Sequence, residues 1–329
     1  MPLSNILLMI QREMNRYFCP ICLIFGIIGC LLNILLFSQK QFRNISCCTY
    51  FLAASISMIT TLILGFGPHA YSVNHPNPVH TISNFCKIRS YVAQSFMMIH
   101  RWLMAMACID RYMVSSINVK LREFANPNVA YRIIIIIMII FIILPLHNLF
   151  FLDIKNGMCV NSIVAFTIYH SLFTIIFGGF LPLLIMITFV ILIRHNLATK
   201  QQRRQRDMYK IKGSTVRLLN SRDYQALMML FVQVIFYILS TIPWMIFLIY
   251  APFGRRIHNK SNNRIAIENF FRYITEILVY TYPTLSFYIN IFTSQTFRDV
   301  LVNILCSLLT SRERFWYRSR LSLIRTQTN

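Results

Sequence analysis

The chain has 329 residues, 56% of them hydrophobic and only 13% charged, where a soluble domain carries about 25% charged residues. Its 32 Lys and Arg outnumber 10 Asp and Glu, for a formal net charge of +22. Basicity of that size suits nucleic acid or an anionic membrane surface. Runs such as "IIIIIMIIFIILPL" exclude nucleic acid as the partner and mark an integral membrane protein.

In chain order, the first 16 residues lack the basic leader and small-residue cleavage site of a signal peptide and read as a short extracellular N-terminus. A hydrocarbon core of about 30 Å needs about 20 apolar residues per helix. Seven stretches meet that length, at about 17–38, 47–67, 86–114, 131–152, 162–193, 224–250 and 267–292. The third and fifth are long enough to protrude into the cytoplasm. Pro145, Pro182, Pro243 and Pro283 lie inside spans, where neighbouring helices re-satisfy the freed carbonyls. Residues 293–309 follow as a short amphipathic helix with Phe297, Val300, Leu301 and Ile304 on one face, and 310–329 form a basic cytoplasmic tail. With the N-terminus outside, cytoplasmic segments hold 21 Lys and Arg against 10 on the other side, the bias that sets orientation. The expected fold is therefore all-α, a seven-transmembrane helix bundle with the N-terminus outside and an amphipathic eighth helix.

Nine cysteines are too scattered for a disulfide scaffold or a zinc site, and the C-x-x-C of Cys19 and Cys22 opens an apolar run, where packing is its expected role. No metal or other cofactor is expected. No H-E-x-x-H, paired intramembrane aspartates or histidine cluster supports an enzyme, and no polar stripe through several spans supports a channel or transporter.

The third span ends on "MAMACIDRYMVSS", an acid and a base side by side at Asp110 and Arg111, followed by Tyr112. "ACIDRY" at that place resembles the D-R-Y signature of rhodopsin-like (class A) G-protein-coupled receptors. Other landmarks fall at matching places: Cys86, 25 residues before Arg111; Asn33 in "GCLLNILLF"; Pro182 in "GGFLPLLI"; Pro243 in "FYILSTIPW"; and "TSQTFRDVLVNIL" after the seventh span. The resemblance covers about residues 17–309. It implies a disulfide from Cys86 to Cys159, the one cysteine of the second outer loop, and a hydrogen-bonding role for Asn33 between helices. It implies a partner for Arg111 about 20 residues before Pro243, where Asp223 stands. Asp110 and Asp223 would hold the guanidinium between two helices at rest, and outward movement of the sixth would open a cytoplasmic cleft for a heterotrimeric G protein. "RWLMAMACIDRY" together with "TSQTFR" resembles invertebrate peptide receptors of the FMRFamide-like group.

Departures from the family pattern stand beside these matches. "YFLAASISMITT" carries no second-helix aspartate, Thr241 replaces the sixth-helix tryptophan, and Ser286 to Asn290 occupies the place of N-P-x-x-Y, with Pro283 and Tyr288 as shifted stand-ins. Ala93, 18 residues before Arg111, replaces the acid of amine receptors, and no lysine in the seventh span supports a retinal Schiff base. An extracellular peptide is the leading ligand class, with a small chemosensory molecule as the alternative. The expected cavity walls are Gln94, Met97, Met98, Tyr250 and Glu276. Glu276 either receives a cationic ligand or pairs internally with Arg101 or a nearby basic group. Arg101, His100, His147 and His170 are expected to be structural. Membrane lipids are partners of the basic third inner loop, and Cys306 is a candidate for palmitoylation. Asn259 opens a sequon in the last outer loop. The expected location is the plasma membrane, as a multi-pass protein.

Overall fold

The computed structural model describes residues 3–116, 118–155, 157–161, 163–208, 216–256, 260–304 and 306. The side chains of residues 41, 161, 201, 203–208, 216–226 and 255–256 lie outside that description. Seven long helices form the fold: α1 Leu3–Phe37, α2 Ser46–Tyr71, α3 Ser83–Ser115, α4 Pro127–Phe151, α5 from Val164 to Met208, α6 Val216–Arg256 and α7 Asn262–Thr293. A shorter α8 follows at residues 295–304. Successive helices pack on one another except that, among the described residues, α4 meets α5 only near the outer end, through His147 with His170 and Phe151 with Phe166; α7 closes back onto α1, and α3 runs through the middle against α2, α4 and α5.

Among the described residues, six helices, α1 to α6, are long and apolar enough to cross a membrane. The seventh is more polar for a structural reason. Its tyrosines, threonines and Asn290 are turned into the bundle, where Tyr273, Thr275, Tyr280, Tyr282, Thr284 and Asn290 are all buried. In α4 the opposite holds. Ile135, Ile136, Ile139 and Ile143 are exposed while Ile134, Ile137 and Phe141 face inward. A uniformly apolar helix with one packed face is what a lipid-facing position requires, since hydrocarbon solvates the rest.

Two prolines shape the helices through the carbonyl four residues before them. A proline inside a helix removes one N–H and pushes on that carbonyl. α1 passes through a π-helical turn, Met14–Phe18, just ahead of Pro20, and α5 through Thr174–Phe180 just ahead of Pro182. Widening the turn relieves the crowding and leaves the carbonyl available to another donor. The first case also revises the expected tail. Leu3–Glu13 is helical and joins α1 without a break, because no Gly or Pro stops it and the buried Asn15 side chain meets Tyr273 Oη at 2.6 Å on α7.

At the outer end, β1 (Leu152–Lys155) and β2 (Met158–Asn161) pair antiparallel as a hairpin that turns at Gly157, whose positive φ of 68° suits glycine. At the inner end, Phe37, Phe42, Phe51 and Phe297 stack on one another with centroids 5.2–6.4 Å apart. That cluster docks α8 on the bundle through Phe297, while Val302 on its far side stays exposed.

Candidate ligand cavity and cytoplasmic switch

The hairpin is fastened over the bundle by the Cys86–Cys159 disulfide, with Cα atoms 5.8 Å apart. Asp153 on β1 adds a second tie, since its carboxylate accepts from the Ser83 hydroxyl at 2.7 Å and from the Ile154 N–H at 2.8 Å. Those two bonds hold its carboxyl below the usual carboxylate range. Cys19 and Cys22 are not bonded to each other. Cys19 is buried and contacts Asn15 and Tyr273.

Beneath the hairpin, two lobes of about 150 and 380 Å³ share Leu152, Cys159, His170, Trp244 and Arg272 in their walls. Gln94 and Met97 line the smaller lobe, together with Arg89, Glu276 and Tyr280. Tyr250 lines the larger, with Phe247, Leu248 and Ile265. Met98 does not reach either one. One residue further along α3 turns it about 100° away from Met97, so it is buried against Gly178 of α5. Gln94 is already engaged, donating to Thr174 Oγ1 at 3.0 Å and accepting from Asn148 Nδ2 at 2.7 Å.

Glu276 meets Arg89 at 3.0 Å, and Arg89 Nε also donates to the Leu64 carbonyl at 2.9 Å. One guanidinium therefore ties α3 to both α2 and α7. Arg101 is not the partner of Glu276. It lies deeper in the bundle, 3% exposed, where its Nη1 donates to the Gly178 carbonyl and its guanidinium sits 5.4 Å from the Tyr237 ring. Tyr237 Oη donates to the same carbonyl at 2.9 Å. Gly178 is the residue four before Pro182, so the carbonyl that proline releases is the one that holds α3 and α6 to α5. His100 contacts the Phe96 carbonyl at 3.0 Å, and His147 Nε2 lies 3.2 Å from His170 Nδ1.

Outside the spans, His80 in the turn Pro78–Thr81 is held below its ordinary value, first by burial and then by the positive charge of Arg272. At the rim, Glu268 is bonded to Lys260, to Arg264 Nε at 3.1 Å and to Tyr250 Oη at 2.6 Å.

At the cytoplasmic end, Asp110 is buried and accepts from Arg111 Nη2 at 3.0 Å. Arg111 lines a small cleft with Val114 and Ser115 of α3, Ile193 and Leu197 of α5, and Leu227 and Leu230 of α6. Tyr112 points sideways to Phe189, ring centroids 5.2 Å apart, so it braces α3 on α5 rather than facing the cleft. The Asp223 side chain lies outside the described residues, as does Asn259.

A polar chain that the sequence alone left unassigned connects three helices in the core. Gln233 Nε2 donates to Asn290 Oδ1 at 2.6 Å, and Asn290 Nδ2 to Asn33 Oδ1 at 3.4 Å. The signal for it is Gln233 and Asn290 standing alone in apolar runs, where an amide needs partners. Tyr288 does not stand in for the missing tyrosine of the seventh helix. It turns to α1 and donates to the Phe25 carbonyl at 3.2 Å.

The profile of the family described as 7 transmembrane receptor (rhodopsin family) matches residues 29–286. The chain belongs to that family. The matched region contains the disulfide, the cavity walls and the Asp110–Arg111 pair. No curated protein matches the chain. As a rhodopsin-family receptor it is a multi-pass membrane protein of the signalling class, not of an enzyme class.

Proposed function

We propose that this receptor sits in the plasma membrane, takes an extracellular ligand into the two-lobed cavity, and passes its binding energy to a heterotrimeric G protein through Arg111. The observation that carries the reading is the Arg111 guanidinium at the rim of a cleft walled by α3, α5 and α6, held back by Asp110. An arginine tethered by an acid on its own helix is ready to be released when α6 moves, and a ligand outside shifts that balance only by preferring one arrangement. Asp223 on α6 is the proposed second tether. The ligand is a peptide, or a small molecule that fits the lobes. Arg298 donates at 3.1 Å to the Ile291 and Phe292 carbonyls, which ties α8 to the end of α7, and Cys306 just beyond it is exposed and is the proposed site of acylation.

The test is nucleotide exchange on a reconstituted G protein without ligand. Asp110→Asn is expected to raise basal exchange several-fold and Arg111→Ala to abolish it. Equal rates for both variants and the unmodified receptor would remove Arg111 from the mechanism.

A further inference from the structure

We propose that the cavity recognises a monoanionic carboxylate on an apolar or aromatic body, and that Arg272 is the residue that receives it. This rests on the reading of the cavity as the ligand site and names the chemistry that enters it.

The argument starts from which cavity charges are already neutralised. Both acids in the walls are taken: Glu276 by Arg89 at 3.0 Å, and Glu268 by Lys260, Arg264 and Tyr250. Arg272 is half-buried and lines both lobes, yet its guanidinium makes no hydrogen bond and no ion pair among the described residues. A guanidinium keeps its charge at any physiological pH, so it cannot escape a partly desolvated site by losing a proton. A carboxylate would satisfy it through two parallel bonds and exclude the water now needed to solvate it. The two lobes are lined by three cationic side chains, Arg89, Lys260 and Arg272, against Glu268 and Glu276, and one carboxylate balances that excess where a phosphate dianion would overshoot it.

The surroundings fit the rest of such a molecule. Arg272 stands where the lobes meet, and the larger lobe beside it is walled by Trp244, Phe247, Leu248 and Ile265. An apolar chain or aromatic ring would fill that lobe while the head group turns toward Arg272. The outer segments add attraction at longer range, with ten Lys and Arg against four acids, Glu13, Asp153, Glu268 and Glu276. An amidated cationic peptide, which the resemblance to FMRFamide-like receptors suggested, meets the opposite situation. It carries no carboxylate at its end, and the acid that would take its guanidinium is occupied by Arg89.

The same head group comes from two sources, a peptide with a free C-terminus or a small lipid-like acid. The experiment uses matched pairs on the purified full chain in nanodiscs, without G protein. One arm pairs short peptides ending in Phe or Leu as free acid and as amide. The other pairs medium- and long-chain saturated acids and aryl-alkanoic acids with their methyl esters. Binding is read as thermal stabilisation across a concentration series. The expected result is that acids in one arm bind and their uncharged partners bind about tenfold to a hundredfold more weakly, the loss of one charge-assisted contact. Arg272→Gln should erase that difference and Arg272→Lys should keep part of it.

The comparison on the unmodified chain needs no variant, so a folding defect in Arg272→Gln leaves the test intact. Equal binding of acid and uncharged partner, an undiminished acid preference in Arg272→Gln, or no stabilisation by any acid overturns the proposal. Because no G protein is present, either result leaves the exchange experiment on Asp110 and Arg111 to stand or fall alone.

Discussion

The Arg89–Glu276 pair offers the sharpest check on how the outer half of the bundle is held. Both side chains are largely covered, 10% and 18% exposed, and their atoms meet at 3.0 Å. Two unit charges about 4 Å apart gain roughly 4 kcal/mol at an effective dielectric near 20. Removing both groups from water offsets much of that, while loss of one partner strands the other. A net coupling of about 1–3 kcal/mol remains. Arg89→Gln and Glu276→Gln should each lower thermal stability, and the double variant should lose clearly less than the two single losses combined. Thermal unfolding with a thiol-reactive dye reads this directly, because Cys30, Cys47, Cys48 and Cys108 are buried and react only when the bundle opens. Additive losses within about 0.5 kcal/mol would refute the pair as a coupled tie. A double variant as unstable as the sum would then place Arg89 with Leu64 alone.

Two further outcomes follow from other contacts. Cys86→Ser or Cys159→Ser frees a loop closed across 73 positions, a loss of about 4.5 kcal/mol by chain entropy and less where inserted helices already restrain the open chain. Surface expression and thermal stability of either variant should fall together, and indifference to the change would deny the bridge a holding role. Asn290→Leu removes both bonds of the Gln233–Asn290–Asn33 chain and leaves two buried amides without it. With interhelical bonds in membrane proteins averaging about 0.6 kcal/mol each, the expected loss is about 1–2 kcal/mol in the same unfolding assay. An unchanged midpoint would show the chain to be incidental.

The seven helices were legible because the bilayer imposes a length and an apolarity that any sequence must meet on its own. Helix ends were less legible. Residues 1–16 read as a tail because they lack a signal-peptide pattern, and only the contact of Gln11 and Asn15 with α7 shows why Leu3–Glu13 continues as helix. Face assignment failed where one residue decides it, as at Met98, which differs from Met97 by a single step of the helix.

Composition and spacing thus determined by themselves that this is a seven-helix membrane protein. They did so because burial in lipid acts on each helix separately. The pairings were decided only in three dimensions. Glu276 took Arg89 rather than Arg101, Arg101 took the carbonyl that Pro182 releases, and Arg272 was left facing the cavity with no ion pair of its own among the described residues. A charge in a sequence shows that a partner is needed, but which one it finds depends on the rotation and depth of helices far apart in the chain.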